Sequence, residues 1–361
     1  MRFRTQVANA STFAKLTASL SSLGKVCWMR LEEGFIRFTI IPDQGTQVWA
    51  QLPVDSIFEE STYVLESNTG VINLEVPVGA LHRALRSAVP AKLSSLRLTK
   101  KGNIPLLALT IRTTSWTTAS NALGIPDSDR ASSSSTPTTT AAAAANADPD
   151  PDGDDSAGTA QPRPSGPRER ETVITQEIPV KVLHESAVEG LHQPHCRDPD
   201  VHIMLPSLMQ LKSISERFTK LATESKTVAA GATSTASPKL ELSANMHGSL
   251  KLAIVSDAFS ISSVWTDLLN PSLDTCGLEQ SAVEQLPSER LRALPADDEA
   301  GWAKVRIDGK DWSRVLSVGR LNPRVVASFI NETALVLYVF LPGSWNDEES
   351  CLTYYINSYS I

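Results

Sequence analysis

The stretch "RIDGKDWSRVLSVGRLNPR", residues 306–324, predicts a helix that begins near Asp308. With 3.6 residues per turn, one face carries apolar or small residues: Trp312, Val315, Leu316 and Gly319. The opposite face carries polar and basic residues: Lys310, Ser313, Arg314 and Ser317. The helix is therefore predicted to have a buried apolar face and, opposite it, a small basic face. The basic face is unexpected because the chain of 361 residues has a formal net charge of −7.

The same order of elements occurs four times along the chain. The segments "MRFRTQV", "VINLEVP", "VHIMLP" and "AKVRID" each read as a strand. Each is followed by a helical pattern: "ASTFAKLTASLSSLG", "VGALHRALRSAVP", "SLMQLKSISERFTKLA" and "KDWSRVLSVGR". Two or three further strand-like segments follow each helix. Four β-α-β-β-β units sharing this order but no strict motif indicate a repeat architecture.

All four predicted helices have a basic face. In the first, apolar Phe13, Leu16, Leu20 and Leu23 oppose Ser11, Lys15, Ala18 and Ser22. In the second, Leu81, Ala84, Leu85 and Ala88 oppose Gly79, Arg83 and Arg86. In the third, Leu211, Ile214, Phe218 and Leu221 oppose Met209, Lys212, Ser213, Glu216 and Lys220. The sequence thus predicts four amphipathic helices of similar charge.

The charge of these helices stands out against the rest of the chain. Residues 10–25, 78–92, 206–220 and 309–324 together hold twelve basic and two acidic residues, whereas the remaining chain holds 21 and 38. One charged helix face is ordinarily just solvated. Four faces of one sign in an acidic chain instead favour a positive surface that holds a polyanion by its phosphates, without base reading.

Three segments are predicted to be insertions. Residues 117–170 contain almost no side chain that could bury surface, and we expect them to be disordered. Residues 223–238 and 270–298 are smaller candidates, and the second has room for a short helix. The N-terminus lacks the apolar core of a signal peptide, and four dispersed cysteines favour a reducing, intracellular compartment.

Several segments resemble a known family. Four such units look like a eukaryotic sliding clamp of the PCNA-like fold. The segments "MRFRTQV", "TQEIPVKVL", "DPDVHIMLPSLMQLKSISERF" and "KLELSANMHGSLKLAI" resemble the hydroxyurea-sensitive subunit of the heterotrimeric DNA-damage checkpoint clamp, the nine-one-one ring. The resemblance covers almost the whole chain outside the insertions, and "DPDV.I.LP" is its most distinctive motif.

The resemblance implies an α+β fold of two similar domains, each with two β-α-β-β-β units and helices on one face of antiparallel sheets. Domain 1 would span residues 1–183 and include the insertion 117–170. A linker would follow at 184–199. Domain 2 would span 200–361 and include the insertions 223–238 and 270–298.

The resemblance also implies a nuclear scaffold without catalytic residues, cofactor or metal. It would join two other clamp-like subunits in a ring on double-stranded or junction DNA, loaded by an ATP-dependent clamp loader. The basic helix faces would line the hole, with these candidate phosphate contacts: Lys15, Lys25, Arg83, Arg86, Lys92, Lys212, Arg217, Lys220, Lys310, Arg314 and Arg320. Consistent with a scaffold, the sequence has no common nucleotide-binding or hydrolase motif.

Two alternatives stay open at the level of sequence. A homotrimeric replication clamp shares the fold, but the long insertion and "DPDVHIMLP" speak against it. A metal-dependent nuclease would need strand carboxylates such as Glu75 and Glu241, although such residues more often face solvent on a half-buried sheet. A cluster near the linker, His184, His192, His195, Cys196 and His202, lacks the spacing of a structural zinc site and favours a polar surface loop.

Overall fold

The computed structural model describes residues 1–42, 45–117, 168–229, 238–255, 260–272, 284–341 and 350–359. Most of the predicted insertion 117–170 lies outside these residues, but the flanking strands reach Thr117 and begin at Arg168, inside its expected bounds. The chain divides into one compact unit of residues 1–111 and 175–361 and a second of residues 112–174. The four predicted helices all belong to the first unit.

The described elements follow the predicted order. The first copy comprises β1 (Arg2–Gln6), α1 (Ala10–Leu23), β2 (Val26–Leu31), β3 (Phe35–Ile40) and β4 (Gln47–Pro53). A short strand, β5 (Val64–Glu66), precedes the second copy, which comprises β6 (Ile72–Pro77), α2 (Val78–Ala88), β7 (Leu93–Lys101), β8 (Ile104–Thr117) and β9 (Arg168–Pro179). Strand β10 (Lys181–Leu183) and a single helical turn, α3 (Glu185–Val188), come next.

The later copies repeat this order. The third comprises β11 (Val201–Met204), α4 (Leu208–Ala229), β12 (Lys239–Asn245), β13 (Leu250–Val255) and β14 (Ser260–Trp265). Helix α5 (Pro287–Arg292) leads to the fourth: β15 (Trp302–Asp308), α6 (Gly309–Val315), β16 (Arg324–Ile330), β17 (Ala334–Phe340) and β18 (Cys351–Asn357). A 3-10 turn (Leu316–Leu321) extends α6. The short helix expected within residues 270–298 is confirmed as α5.

The described strands form three antiparallel sheets in which copies exchange their first strands. The orders are β5-β1-β7-β8-β9, β14-β13-β12-β15 and β10-β6-β2-β3-β4-β18-β17-β16-β11. Strand β1 of the first copy thus joins the later strands of the second copy, and β6 of the second joins those of the first. Strands β11 and β15 exchange in the same way, so two paired copies form each half of the chain.

One strand pair joins the two halves within a sheet. Strand β4 pairs with β18 from Gln47 opposite Tyr355 to Gln51 opposite Cys351. This pair merges five strands of the first half and four of the second into the nine-stranded sheet. Strands such as β2 and β3 alternate buried and more exposed residues, so each sheet keeps one face on a shared hydrophobic core.

The distinctive "DPDV" motif has a structural role. Asp200 accepts hydrogen bonds from both terminal nitrogens of Arg197, at 3.1 and 2.8 Å. It also accepts one from the backbone N–H of Asn331, at 2.7 Å. Asn331 lies in the turn between β16 and β17, and in this turn Glu332 has a φ of 58°, in the left-handed region. The motif therefore fixes the turn between β16 and β17 to the start of β11.

Two expectations about the third copy are wrong. Helix α4 continues to Ala229, so residues 223–229 belong to a helix and not to an insertion. Leu221, predicted to be buried, is 44% exposed, and Ala222 is buried in its place. Residues 230–237 lie outside the described part of the chain.

Trp312 supplies a direct test of the predicted buried stripe. Its side chain is fully buried, and its Nε1 donates to Ser215 Oγ of α4 at 3.0 Å. We expect Trp312→Ala to lower the free energy of unfolding by about 3–5 kcal/mol because it leaves a cavity and removes one of the two hydrogen bonds of Ser215 Oγ, which still donates to the carbonyl oxygen of Leu211. Urea denaturation measures the loss. Lys310→Ala on the exposed side of the same helix is the control, and equal losses for both variants would contradict the assignment.

Candidate nucleic-acid interface

Each copy contributes the helix that follows its first strand, and these four helices lie side by side in the order α2, α1, α6 and α4. Between α2 and α1, His82 Nδ1 lies 3.0 Å from the carbonyl oxygen of Ala14. Between α1 and α6, Ser22 Oγ lies 3.3 Å from the carbonyl oxygen of Arg314. Between α6 and α4, Ser313 Oγ donates to Glu216 Oε1 at 2.9 Å. We call this arrangement the helix row.

Small residues allow the close contact of α4 with the fourth copy. A Cβ atom on Gly309 would lie 2.9 Å from Thr219 Oγ1, and one on Gly319 would lie 2.9 Å from Leu208 Cβ. Real Cβ atoms rarely approach neighbours this closely, so larger side chains would force the helices apart. The two glycines thus set the spacing at this end of the helix row.

The serines at the junction of α1 and α6 correct one prediction. Ser317 was expected on the exposed polar face, but it is buried. Its Oγ lies 3.1 Å from Ser22 Oγ, and its carbonyl oxygen accepts from Ser19 Oγ at 3.4 Å. Ser317 therefore joins the two halves of the chain and does not face solvent.

Asp308 fixes the start of α6. Its Oδ1 accepts from the backbone N–H groups of Lys310, at 2.9 Å, and Asp311, at 3.4 Å. Burial raises the pKa of Asp308, but hydrogen bonds from Lys239, Lys310 and Asp311 outweigh it, so the net pKa lies below its ordinary value. The cap thereby orients the helix that carries Lys310 and Arg314.

Ten of the eleven predicted phosphate contacts are exposed, and Lys212 is half-buried. Three are engaged in ion pairs: Lys212 with Glu216 at 3.8 Å, Lys220 with Glu224 at 3.9 Å and Arg314 with Asp311 at 3.1 Å. Among the residues described, the other eight make no ion pair: Lys15, Lys25, Arg83, Arg86, Lys92, Arg217, Lys310 and Arg320. Most of the positive charge is therefore available to an anion.

Not every predicted contact lies on a helix face. Lys25 follows the end of α1, and Lys92 lies between α2 and β7, so both sit in connecting segments. Arg320 lies in the 3-10 turn that extends α6. The helix faces themselves carry the remaining eight residues. Arg324, which contributes to the local charge, begins strand β16 and lies over the ring of Phe340 at 5.1 Å.

The strand carboxylates considered for a nuclease are engaged in ion pairs between strands. Glu75 Oε1 lies 2.7 Å from Lys181 Nζ, and Glu241 Oε2 lies 3.3 Å from Arg306 Nε. Glu75 belongs to the nine-stranded sheet and Glu241 to the four-stranded sheet. The two carboxylates are thus not brought together in one site.

The histidine cluster near the linker is also dispersed. His202 lies in the segment "VHIMLP" that was predicted to be a strand, and it is buried in β11, where its Nδ1 lies 2.9 Å from Ser328 Oγ. Burial and the nearby charge of Arg292 lower the pKa of His202. Within the described ranges no group of three or more His, Cys, Asp or Glu side chains is placed to hold a metal ion. No described helix is both long and apolar enough to cross a membrane.

A groove lies on the nine-stranded sheet beside residues of the expected linker. Its volume is about 510 Å³, and its lining includes Trp28, Trp49, Leu191 and His192. The Nε1 of Trp49 is buried and has no hydrogen-bond partner among the described residues. Cys27 and Met29, which flank Trp28 in β2, are buried in the core, so the groove is on the sheet face away from the core.

Comparison with known proteins identifies relatives along the whole chain. Residues 1–360 match the model of a family described as Hus1-like protein. The checkpoint protein hus1 of Schizosaccharomyces pombe is 33% identical, with 99% of each chain covered.

Solved structures of sliding clamps have a similar fold. The proliferating cellular nuclear antigen of Entamoeba histolytica has a TM-score of 0.56 at 10% identity, with 99% of each chain covered. A PCNA2–PCNA3 complex from Sulfolobus tokodaii has a TM-score of 0.52 at 12% identity, also with 99% of each chain covered. These likenesses establish the PCNA-like fold expected from the repeats.

The Asp308 cap gives a pH-dependent test of how α6 is held. We expect Asp308→Ala to lower the free energy of unfolding by about 1 kcal/mol at pH 7, since two backbone N–H groups lose their acceptor. Because the folded pKa is depressed, this contribution is present above the ordinary carboxyl pKa and is lost as the pH falls through the folded value. Urea denaturation between pH 7 and pH 3 should show the gap closing.

Asp308→Asn is the matched control, because its amide oxygen still caps the helix but does not titrate. This variant should retain most of the stability at pH 7. A gap between wild type and Asp308→Ala that is the same at every pH would show that the carboxylate charge is irrelevant.

Proposed function

The chain belongs to the Hus1-like protein family, and from this membership we propose that it is a non-catalytic subunit of a heterotrimeric ring clamp that encircles DNA at sites of damage. The helix row is the observation that carries the proposal, because it places basic residues from all four copies on one side of the sheets. The ring would serve as a platform for checkpoint signalling and repair factors in the nucleus.

In this proposal the helix row faces the hole of the ring. Lysine and arginine side chains would contact phosphates without reading bases, which suits a clamp that must slide. The eight candidate contacts without ion pairs would supply most of the attraction. Lys212, Lys220 and Arg314 would contribute less unless DNA displaces their carboxylate partners.

Two outer strands, which pair on one side only among the described residues, support assembly into a ring. Strand β9 ends the five-stranded sheet of the first half, and β14 ends the four-stranded sheet of the second. The opposite edge of the four-stranded sheet, β15, is covered, since the carbonyl oxygen of Arg306 accepts from the backbone of Tyr359. Two different free edges on one chain suit the head-to-tail contacts by which subunits close a ring.

The other proposed partners are two clamp-like subunits and a clamp loader. We expect two other clamp-like subunits, since the family's clamp is heterotrimeric. Because the sequence contains no common nucleotide-binding motif, the ATP that opens the ring would be hydrolysed by a separate clamp loader. The residues expected as an interdomain linker, 184–199, would lie beside the groove and help client peptides to dock.

DNA binding by the assembled ring tests the helix row. We expect the combined substitution of Arg83, Arg86, Lys310 and Arg314 by Ala to weaken binding about equally on unrelated duplexes. Each lost phosphate contact should also reduce the slope of log affinity against log salt by up to ~0.9. Fluorescence anisotropy at several salt concentrations measures both effects.

The matched control is a ring in which four residues on strands are replaced by Ala: Arg2, Arg37, Lys101 and Lys181. These residues have the same total charge but lie on strands outside the helix row. Equal weakening by the two sets would mean that net charge alone, and not the helix row, attracts the DNA.

Assembly of the chain with two clamp-like partners tests whether β14 forms a contact between subunits. Val264 in this strand is 53% exposed. We expect Val264→Lys to leave the isolated chain folded but to weaken assembly with two clamp-like partners by at least about tenfold, since a charge on an edge opposes strand pairing. Size-exclusion chromatography with light scattering measures the 1:1:1 complex.

Val89→Lys, at an exposed valine next to α2, should leave assembly unchanged and serves as the control. A stable homotrimer formed by the chain alone would instead favour the homotrimeric replication clamp.

A further inference from the structure

Two arginines face each other on the outer surface of the five-stranded sheet. Arg4 of β1 lies directly opposite Arg97 of β7 in the antiparallel register, and both side chains are exposed. Phe3 and Thr5, which flank Arg4 in β1, are buried. Because alternate residues of a strand point to opposite faces, Arg4 and Arg97 lie on the sheet face away from the core and the helices.

This pairing is unfavourable on its own. Directly opposite residues in antiparallel strands have Cβ atoms about 4.5–5.5 Å apart, and like charges at this spacing destabilise a sheet. On its other side, Arg4 is opposite Val64, which offers no charge. In the part of the chain that the structure describes, neither guanidinium makes an ion pair or a hydrogen bond.

Two other cations of the same sheet, Arg2 and Lys101, make ion pairs with carboxylates. Arg2 Nη1 lies 3.3 Å from Glu66 Oε1, and Lys101 Nζ lies 3.4 Å from Glu177 Oε2. Both pairs join different strands of this sheet. Only at Arg4 and Arg97, among these four cations, is the partner another cation. Arg4 and Arg97 thus bring two unneutralised positive charges to one position of this sheet face.

We propose that Arg4 and Arg97 bind a phosphorylated serine or threonine of a partner protein. A phosphate monoester carries close to two negative charges at neutral pH and has three acceptor oxygens, so one group neutralises both arginines. Each guanidinium presents a planar fork of donors that matches two phosphate oxygens. Forks that start from neighbouring strands can converge on a single phosphate above the sheet.

The surroundings favour a single phosphate over a nucleic acid. A duplex would lay a row of phosphates across this face, but the neighbouring cations Arg2 and Lys101 are already engaged with Glu66 and Glu177. A phosphorylated side chain needs only the two arginines. The site also lies on the opposite side of the sheet from the helix row, so it does not depend on DNA binding, and either proposal can fail without the other.

A degenerate peptide library with one central phosphoserine or phosphothreonine, and the same library without phosphate, tests the site on the full chain. We expect tighter binding of the phosphorylated library by fluorescence anisotropy in phosphate-free buffer. Arg4→Gln and Arg97→Gln should each weaken that binding about tenfold, the size expected for one charged hydrogen-bonded contact. The double variant should lose the preference for phosphate.

Arg2→Gln is the matched control, since Arg2 is on the same strand and face but is paired with Glu66. It should retain the preference for phosphate. Thermal unfolding without peptide separates loss of the site from loss of the fold. Arg97→Gln should melt at the same temperature as wild type or higher, because it removes the repulsion.

Three results would overturn the proposal. The first is equal affinity of the wild-type chain for the two libraries. The second is an unchanged phosphate preference in the double variant. The third is a short duplex DNA that binds the chain through Arg4 and Arg97 and displaces the phosphopeptides, which would assign these arginines to nucleic acid.

Discussion

The pairing of β4 with β18 is the constraint on which the rest of the molecule depends. Each half of the chain supplies two helices of the helix row, α1 and α2 from the first half and α4 and α6 from the second. The backbone hydrogen bonds between Gln47–Gln51 and Cys351–Tyr355 hold the two halves as parts of one sheet. Helix α1 is thereby brought against α6, so two pairs of helices become one row and their positive charges add in one place.

The junction within that row is polar and made of small side chains. Ser19, Ser22 and Ser317 interact with one another and with main-chain carbonyl groups, so α1 and α6 approach closely without burying an unpaired charge. The charged side chains lie at the exposed surface beside this junction. The halves are therefore joined by hydrogen bonds and packing, and the repulsion between their basic residues is left to solvent and to whatever anion approaches.

Patterns within single elements were predictable from the sequence, and contacts between elements were not. The period of 3.6 located all four helices, and the alternation of polar and apolar residues located the strands. Ser317 was misplaced because its burial comes from α1, some three hundred residues away. The strand that contains His202 was predictable, but the burial of its side chain against Ser328 of β16 depends on a partner strand more than a hundred residues away. Lys25 and Lys92 were assigned to helix faces because the ends of helices are poorly marked in the sequence. The exchange of first strands between copies, and the opposition of Arg4 and Arg97, depend on strand register, which local periodicity does not reveal.

The distance along the chain between β4 and β18 has a consequence for synthesis. Residues 51 and 351 are direct partners but are separated by three hundred positions. A ribosome adds about 5–20 residues per second, so β4 waits on the order of 15–60 s before its partner emerges. Once Leu183 has been made, the first half has all of its strands, but its five-stranded part of the large sheet ends at β4 as an open edge until β18 emerges. An open edge is a template for pairing with other chains, so newly made copies are exposed to such pairing until the second half arrives.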